Sequence, residues 1–264
     1  MWINYVKAGL LACVLAPLSV AAQDSADSAE ALSPEETITQ ALAPAVGGAS
    51  QLGPVRPSVI DGLYSVQIVG GPTLMVTPDG KHAVVGDLLE IAPTGFTQVQ
   101  DPYLIDARKD FLAGLSDDET INFKPEGETK HVMYVFTDVD CGYCRRLHNH
   151  MHQYREKGEL KPGYSDLGIE VRYLAYPRAG IGSPSAAKLE SAWCADDQQA
   201  ALDKLKAMQP VDQKTCESAP IARHFVTGGQ LGVNATPAIM LPNGELHLGY
   251  RPPEDMVGIF AQGE

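Results

Sequence analysis

The chain has 264 residues, of which 44% are hydrophobic and 20% charged, and carries a formal net charge of −13. Length and composition exclude a disordered chain and leave room for one large domain or two modest ones, each with a real core. The excess of acid argues against nucleic acid or an anionic membrane as partner.

Residues 1–22 read as a secretory signal. Lys7 supplies the early positive charge, an apolar run over 8–15 follows, and Pro17 and small residues lead to Ala22. The run is shorter than the roughly 20 residues a membrane helix needs, and the expected cut lies after Ala22. A retained anchor helix and lipoprotein processing at Cys13 are the alternatives. The hydrophobic stretch continues past Cys13, which counts against the second. Residues 23–31 are small, polar and acidic, and read as a leader.

Ser33-Pro34-Glu35-Glu36 carries the marks of a helix start: a capping serine, a first-turn proline and acids near the positive end. A short helix to Leu42 is expected, then a Gly- and Pro-rich segment over 44–57. Between 63 and 91 the pattern turns to strands. Residues 64–69 alternate, 74–76 precede the turn signal Pro78-Asp79-Gly80, and 82–85 resume. A small antiparallel sheet follows from this. Its few large apolar residues predict that it needs a partner surface for stability.

Asp101-Pro102 opens a helical pattern with Tyr103, Leu104, Ala107, Phe111, Leu112 and Leu115 on one side. The acidic break Ser116-Asp117-Asp118-Glu119 closes it, and the segment reads as a connector. Beyond it, apolar strands over 131–136, 169–176, 238–241 and 246–248 alternate with helices. One helix carries Cys144 onward through Tyr154; others are expected over 184–193, 198–208, 221–231 and from near Pro253. Strands alternating with helices predict an α/β domain. The expected divisions are a signal at 1–22, an N-terminal α+β domain at 23–98, a linker helix at 99–118 and a catalytic domain at 119–264.

Removal of the signal takes Cys13 with it and leaves Cys141, Cys144, Cys194 and Cys216. An even count in an exported chain points to two pairs in an oxidising compartment. At Asp138-Val139-Asp140-Cys141-Gly142-Tyr143-Cys144 a buried strand ends, and the first cysteine stands where a helix begins. The thiolate is the nucleophile, and free cysteine has a pKa of about 8.5. Unpaired N–H groups and the dipole at a helix N-terminus favour the Cys141 anion, each unit of depression being worth about 1.4 kcal/mol. The two-residue spacer sets Cys144 one turn inside the helix, within disulfide reach and less exposed. Cys141 is therefore expected to attack and Cys144 to resolve. Thr236-Pro237, just before a strand, suits a cis turn facing this site and able to bind an extended substrate segment. With the spacer residues Gly142 and Tyr143, it makes up the candidate substrate-binding set.

The same residues admit other uses. A C-x-x-C pair occurs in zinc sites, where Cys141, Cys144 and His148 would need a fourth ligand nearby. Haem attachment would need histidine directly after Cys144, where Arg145 stands. A structural disulfide is open too, although a two-residue loop at a helix start is a common redox geometry. Cys194 and Cys216 read as a structural disulfide closing a loop of 23 residues, worth about 3 kcal/mol by loop entropy. A second redox pair is the alternative, and the long spacing counts against it. His148, His150 and His152 read as solvated groups without an assigned role, although His148 and His152 share a helical face that could chelate a metal. Asp138 and Asp140 read as exposed loop residues whose charge opposes thiolate formation, a buried Asp that relays protons being the alternative. No cofactor or metal is expected.

Several segments resemble the DsbC/DsbG family of periplasmic disulfide isomerases, its DsbC branch more closely. They are FTDVDCGYCRRLHNHM over 136–151, VRYLAYPRAG from Val171, AWCA around Cys194, GGQLGVNATPAIMLPNGELHLGYRPPEDM over 228–256 and, more weakly, LMVTPDGKHAVVGDLLEI over 74–91. The resemblance implies a thioredoxin-like catalytic domain with inserted helices, joined by a helical linker to a small dimerisation domain. It implies a V-shaped homodimer whose cleft binds misfolded, disulfide-containing exported proteins in the periplasm. The implied activity is thiol:disulfide isomerisation with chaperone capacity, and the implied partner is a membrane thiol reductase of DsbD type. Carried onto this chain, the nucleophile is Cys141, the resolving thiol Cys144, the cis-Pro loop Thr236-Pro237 and the structural disulfide Cys194 with Cys216. Two stretches depart from the family pattern. Residues 157–168 are longer and expected at the rim of the cleft, and 44–57 match loosely. A thiol oxidase or reductase of the same fold is the nearest alternative, and a holdase chaperone with dispensable cysteines the next.

Overall fold

The computed structural model describes residues 32–86, 88–92 and 95–263; the expected signal and its cleavage site lie outside them. Helix α1 (Pro34–Val46) begins in a reciprocal cap. The Ser33 hydroxyl accepts from the Glu36 N–H, and the Glu36 carboxylate accepts from the Ser33 N–H. The helix runs past the expected Leu42, through Pro44, and stops at Gly47 in a left-handed conformation.

Strands β1 (Arg56–Pro57), β2 (Tyr64–Gln67), β3 (Thr73–Val76) and β4 (Ala83–Val85) pair antiparallel in chain order. Strands β5 (Leu89–Ala92) and β6 (Gly95–Gln98) form a separate hairpin. Ile38 of α1 packs on Val66, Leu74 and Val76 to make the core of this region.

Helix α2 (Pro102–Ala113), capped by Asp101, lies in the stretch where a linker helix is expected. It is docked rather than free-standing. Its Arg108 is buried and donates to the carbonyls of Leu231 and Gly244 and to Gln100 Oε1. Burial brings the guanidinium down to about 10, so it stays charged at neutral pH.

The C-terminal part adds β7 (Ile121–Phe123), β8 (His131–Thr137), α3 (Gly142–Asn149), β9 (Tyr154–Glu156), β10 (Glu159–Lys161) and β11 (Ile169–Ala175). These are followed by α4 (Pro184–Trp193), α5 (Gln198–Lys206), α6 (Ile221–Gln230), β12 (Ala238–Met240), β13 (Leu246–Leu248) and α7 (Pro253–Gly263). Among the described residues the main sheet has the order β13-β12-β8-β11-β7, with β8 and β11 parallel and the other pairs antiparallel.

Side chains alternate between the faces of a strand, and here both faces are covered. Met133 and Val135 of β8, with Val171 and Tyr173 of β11, enter one core cluster under α3, α4, α5 and α7. Phe136 and Leu174 enter the other, with Leu112 of α2 and Leu231 just after α6. Helix α6 comes close to the sheet because Gly228 has no side chain: a Cβ there would stand 2.8 Å from the Phe136 ring.

The active-site helix is shorter than expected. It ends at Asn149, and Tyr154 lies in a strand. The reason is competition for carbonyls: His150 O and Met151 O accept from the Tyr164 and Ser165 N–H groups, far along the chain, instead of continuing a helix. The stretch between is a hairpin, β9–β10, turning on Lys157 and Gly158, both at positive φ. Lys161 Nζ meets Glu254 Oε1 at 2.6 Å and Tyr154 donates to Glu254 Oε2, which holds the hairpin against α7.

Candidate active site

The parallel strands β8 and β11 deliver two loops to the same edge of the sheet. The first loop carries Cys141, which is the N-cap residue of α3. Cys141 is 3% exposed and Cys144 1%, whereas Gly142 is exposed and Tyr143 is 62% exposed. The Cys141 and Cys144 sulfurs are not bonded to each other. In its thiol form Cys141 Sγ donates to the Thr236 carbonyl at 3.2 Å. The Thr236–Pro237 peptide is cis. The structure thus brings Cys141, Cys144 and Thr236-Pro237 together across the end of the sheet. The turn is fixed from behind by Tyr176, whose hydroxyl donates to the Val233 carbonyl at 2.6 Å.

The two thiols are pushed apart in acidity. The hydrogen bond from the Cys144 thiol is the main influence that lowers the Cys141 pKa. Burial opposes it, while Thr236, the Cys144 N–H and the charge of Arg178 add to it. The Thr236 hydroxyl is buried and has no hydrogen-bond partner among the described residues. Cys144 moves the other way. Burial pushes it up, the Cys141 sulfur adds to that, and the charge of Lys206 opposes both. One thiol is thus held ready as an anion and the other protonated, which is the asymmetry that attack followed by resolution requires.

Asp138 corrects the expectation of a solvated loop acid. It is buried, and its carboxylate accepts from the Asp140 N–H, the Arg178 N–H and Nε, and the Ser185 hydroxyl. Burial alone would raise its pKa. The Ser185, Arg178 and Asp140 hydrogen bonds outweigh burial and hold the carboxyl below the usual range. Asp138 therefore clamps the cysteine loop to the β11–α4 loop that carries Arg178. Asp140 is exposed as expected and pairs with Lys188 at 2.7 Å.

The histidines are not solvated as a group either. His148 is buried, with Nδ1 at 3.0 Å from the Tyr173 hydroxyl and Nε2 at 2.8 Å from Asp203 Oδ1. Its nitrogens are engaged, which leaves the C-x-x-C-plus-His zinc arrangement without its third ligand. His150 stacks on Tyr154 with ring centres 3.6 Å apart. Cys194 and Cys216 form a disulfide with Cα atoms 5.7 Å apart, at the end of α4 and away from the reactive pair in sequence.

Arg178, Ser185 and Lys206 carry electrostatics that the sequence reading did not assign. Arg178 lies within VRYLAYPRAG, so its segment was legible although its role was not. Lys206 falls four residues after Leu202 and so on the buried face of α5, the position at which a helical pattern predicts an apolar residue.

Comparison with known proteins adds identity to this geometry. Residues 117–264 match a thioredoxin-like domain family, and residues 20–98 match the family described as disulfide bond isomerase protein N-terminal domain. The chain is 38% identical over 202 residues to the thiol:disulfide interchange protein DsbC of Escherichia coli, covering 76% of this chain and 78% of that one. It is 35% identical to the Haemophilus influenzae DsbC, over 77% and 81% of the two chains. Among solved structures, the disulfide interchange protein of Neisseria gonorrhoeae is 29% identical with a TM-score of 0.45, covering 56% of this chain and 97% of that one.

Proposed function

The chain belongs to the DsbC family of thiol:disulfide interchange proteins, and we propose that Cys141 is its attacking thiol, Cys144 its resolving thiol and the Thr236-Pro237 turn its substrate-strand contact. The observation that carries this assignment is the geometry: Cys141 at the start of α3 lies 3.2 Å from the carbonyl of the cis Thr236-Pro237 turn, with Cys144 buried one turn inside the helix. The activity is thiol–disulfide exchange, used for isomerisation. Cys141 thiolate attacks a wrong disulfide and forms a mixed disulfide, releasing one substrate thiolate. A substrate thiolate then displaces Cys141, and the disulfide has moved. If this stalls, Cys144 attacks Cys141, the substrate leaves reduced, and Cys141–Cys144 is left oxidised.

Isomerisation consumes reduced enzyme only when it stalls, so a reductant must restore the pair. A membrane thiol reductase of DsbD type is the partner we assign, in the periplasm, with misfolded disulfide-containing exported proteins as substrates. The disulfide at Cys194–Cys216 supports an oxidising compartment. Exposed Tyr143 beside the buried Cys141 gives a substrate chain an apolar contact next to the thiol. A homodimer through the N-terminal sheet is supported by its small core and by the edge strand β4, where Val84 and Val85 are 64% and 61% exposed. Two sites facing one cleft would hold a substrate through repeated attempts and give chaperone capacity from the same surface.

The test is recovery of a scrambled, disulfide-rich substrate in glutathione buffer with wild type and Cys141→Ala. Wild type is expected to speed recovery by at least about tenfold over the variant, since the thiolate is the nucleophile. Equal recovery would overturn the assignment and leave suppression of aggregation as the activity to measure.

A further inference from the structure

Lys206, the last residue of α5, is 2% exposed, and the exchange steps above make no use of it. Its Nζ donates to the Thr137 hydroxyl and, at 3.3 Å, to the Asp138 carbonyl, and lies 5.5 Å from the centre of the Tyr173 ring. Both hydrogen-bond partners are neutral oxygens, at the end of β8 and the start of the cysteine loop. Burying an ammonium costs several kcal/mol unless a counter-charge compensates. Its neighbours on the same helix, Leu202 and Leu205, show that an apolar side chain suits this face. The charged groups that face Lys206 are Cys141, Cys144 and Arg145 at α3 and Asp138 on the loop; His148 on α3 also feels its charge. Asp138 is already bound by Ser185, Arg178 and Asp140.

The resolving step creates an anion in this buried place. Cys144 must ionise in a buried place that pushes its pKa up, and the charge of Lys206 is the largest influence in the other direction. We propose that Lys206 is a positioning residue for resolution, its buried ammonium serving as the counter-charge of the Cys144 thiolate. This rests on the roles assigned above to Cys141 and Cys144. In the step, the Cys144 thiol proton passes to solvent. The thiolate attacks Cys141 Sγ in the mixed disulfide, the Cys141–substrate bond breaks and the Cys141–Cys144 bond forms. The substrate sulfur leaves with the bonding pair and takes a proton from solvent. The substrate is reduced by two electrons and the enzyme oxidised by two.

Burial brings Lys206 down to about 8, with Cys144, Asp138 and Cys141 raising it and Arg145 lowering it. Cys144 and Lys206 therefore share their first proton loss as a pair. The first proton lost leaves either the thiol–amine or the thiolate–ammonium form, in a ratio that does not change with pH. The resolving rate carried by the second form is therefore expected to rise with pH and flatten above about pH 8. Without the ammonium the rate would go on rising toward the higher pKa of an uncompensated thiol.

The experiment mixes reduced protein with glutathione disulfide, quenches with acid and follows the glutathionylated intermediate by mass spectrometry. Its formation reports Cys141 and its decay reports Cys144. In Lys206→Met, formation is expected within about threefold of wild type while decay slows by about tenfold or more, one unit of thiol pKa being worth a factor of ten. The intermediate then accumulates and the plateau in pH is lost. Lys206→Arg, which keeps the charge, is expected to restore decay and plateau. Unchanged decay in Lys206→Met overturns the proposal, as does equal slowing of both steps with a lowered melting temperature, which marks a structural role. If the variants do not fold, the wild-type profile decides: a plateau supports the counter-charge, and a rise continuing to about pH 10, toward the range of free amines, overturns it. Failure to form the intermediate on Cys141 in wild type would instead sink the assignment of the attacking thiol.

Discussion

The N-terminal sheet and the C-terminal domain spend their apolar residues differently. In the C-terminal domain β8 and β11 are covered on both faces, and successive side chains divide between two large clusters. The N-terminal sheet buries Ile38, Val66, Leu74 and Val76, while its edge strand β4 has every residue exposed. A strand covered twice fixes the loop at its end, and the loop at the end of β8 carries Cys141. A strand left open at the edge offers hydrogen-bonding groups and valines to another chain. Rigidity is concentrated where the thiols must be placed, and unsatisfied surface where a partner can be held.

The largest expected effect is in the doubly covered sheet. Leu174 is fully buried, and Leu174→Ala is expected to cost about 2–5 kcal/mol. Trp193 is the one tryptophan beyond the expected signal, so its fluorescence in urea follows the C-terminal domain. Leu174→Ala should move that transition. Leu74→Ala in the N-terminal sheet should leave it in place and shift only the circular-dichroism change of the small sheet. A single transition moved equally by both variants would break the comparison.

The doubly covered strands were legible in the sequence because their apolar runs are long and bounded, and helix starts were legible where Ser33, Asp101 and Ser183 precede proline. The reactive pair was legible because two cysteines at that spacing follow a buried strand. What escaped was decided by contacts distant in the chain. The end of α3 depends on N–H groups at Tyr164 and Ser165. The burial of Asp138 depends on Ser185 and Arg178, and that of His148 on Tyr173 and Asp203. The β9–β10 hairpin did have a local mark, Lys157-Gly158 between short runs that pair in register; three-residue strands are too short for alternation to stand out.

The disulfide comes next in size. Cys194 follows Trp193 directly, and replacing Cys194 and Cys216 by serine is expected to lower the same fluorescence transition by about 3 kcal/mol. Exchange by Cys141 should persist at temperatures where the variant stays folded. Loss of alkylation at Cys141 in the folded variant would show that the second pair takes part in the chemistry.

Acid should also separate the two regions. His224 is fully buried, and its Nδ1 accepts from the Ala175 N–H at 3.2 Å. Burial, helped by Arg223, brings its pKa down from 6.5 to about 4. Between these values the unfolded chain binds the proton and the folded one does not, so stability falls as pH drops from 6.5 and levels off near 4, by up to about 3 kcal/mol. The N-terminal sheet carries His82 exposed. The acid slope should therefore appear in the Trp193 transition and flatten in His224→Phe; an unchanged slope in that variant would assign it to other groups.

The smallest expected change in stability tests the open edge itself. Val84 stands on β4 opposite Met75 with most of its surface exposed. A charge there loses little in the isolated chain, because surface substitutions away from special features stay within about 0.5 kcal/mol. If a second chain covers the strand, the same charge must be desolvated without a partner, and association suffers far more than folding. Val84→Glu is therefore expected to shift the mass measured by light scattering from dimer to monomer while leaving the Trp193 transition in place. Alkylation of Cys141 should keep its rate, since Cys144, Arg178 and Thr236, the groups that act on the thiol, all lie in the C-terminal domain. Recovery of scrambled substrate should fall, because one site no longer faces another. A variant that stays dimeric would move the interface away from β4. A monomer that alkylates slowly would show that the open sheet and the thiol site are coupled after all.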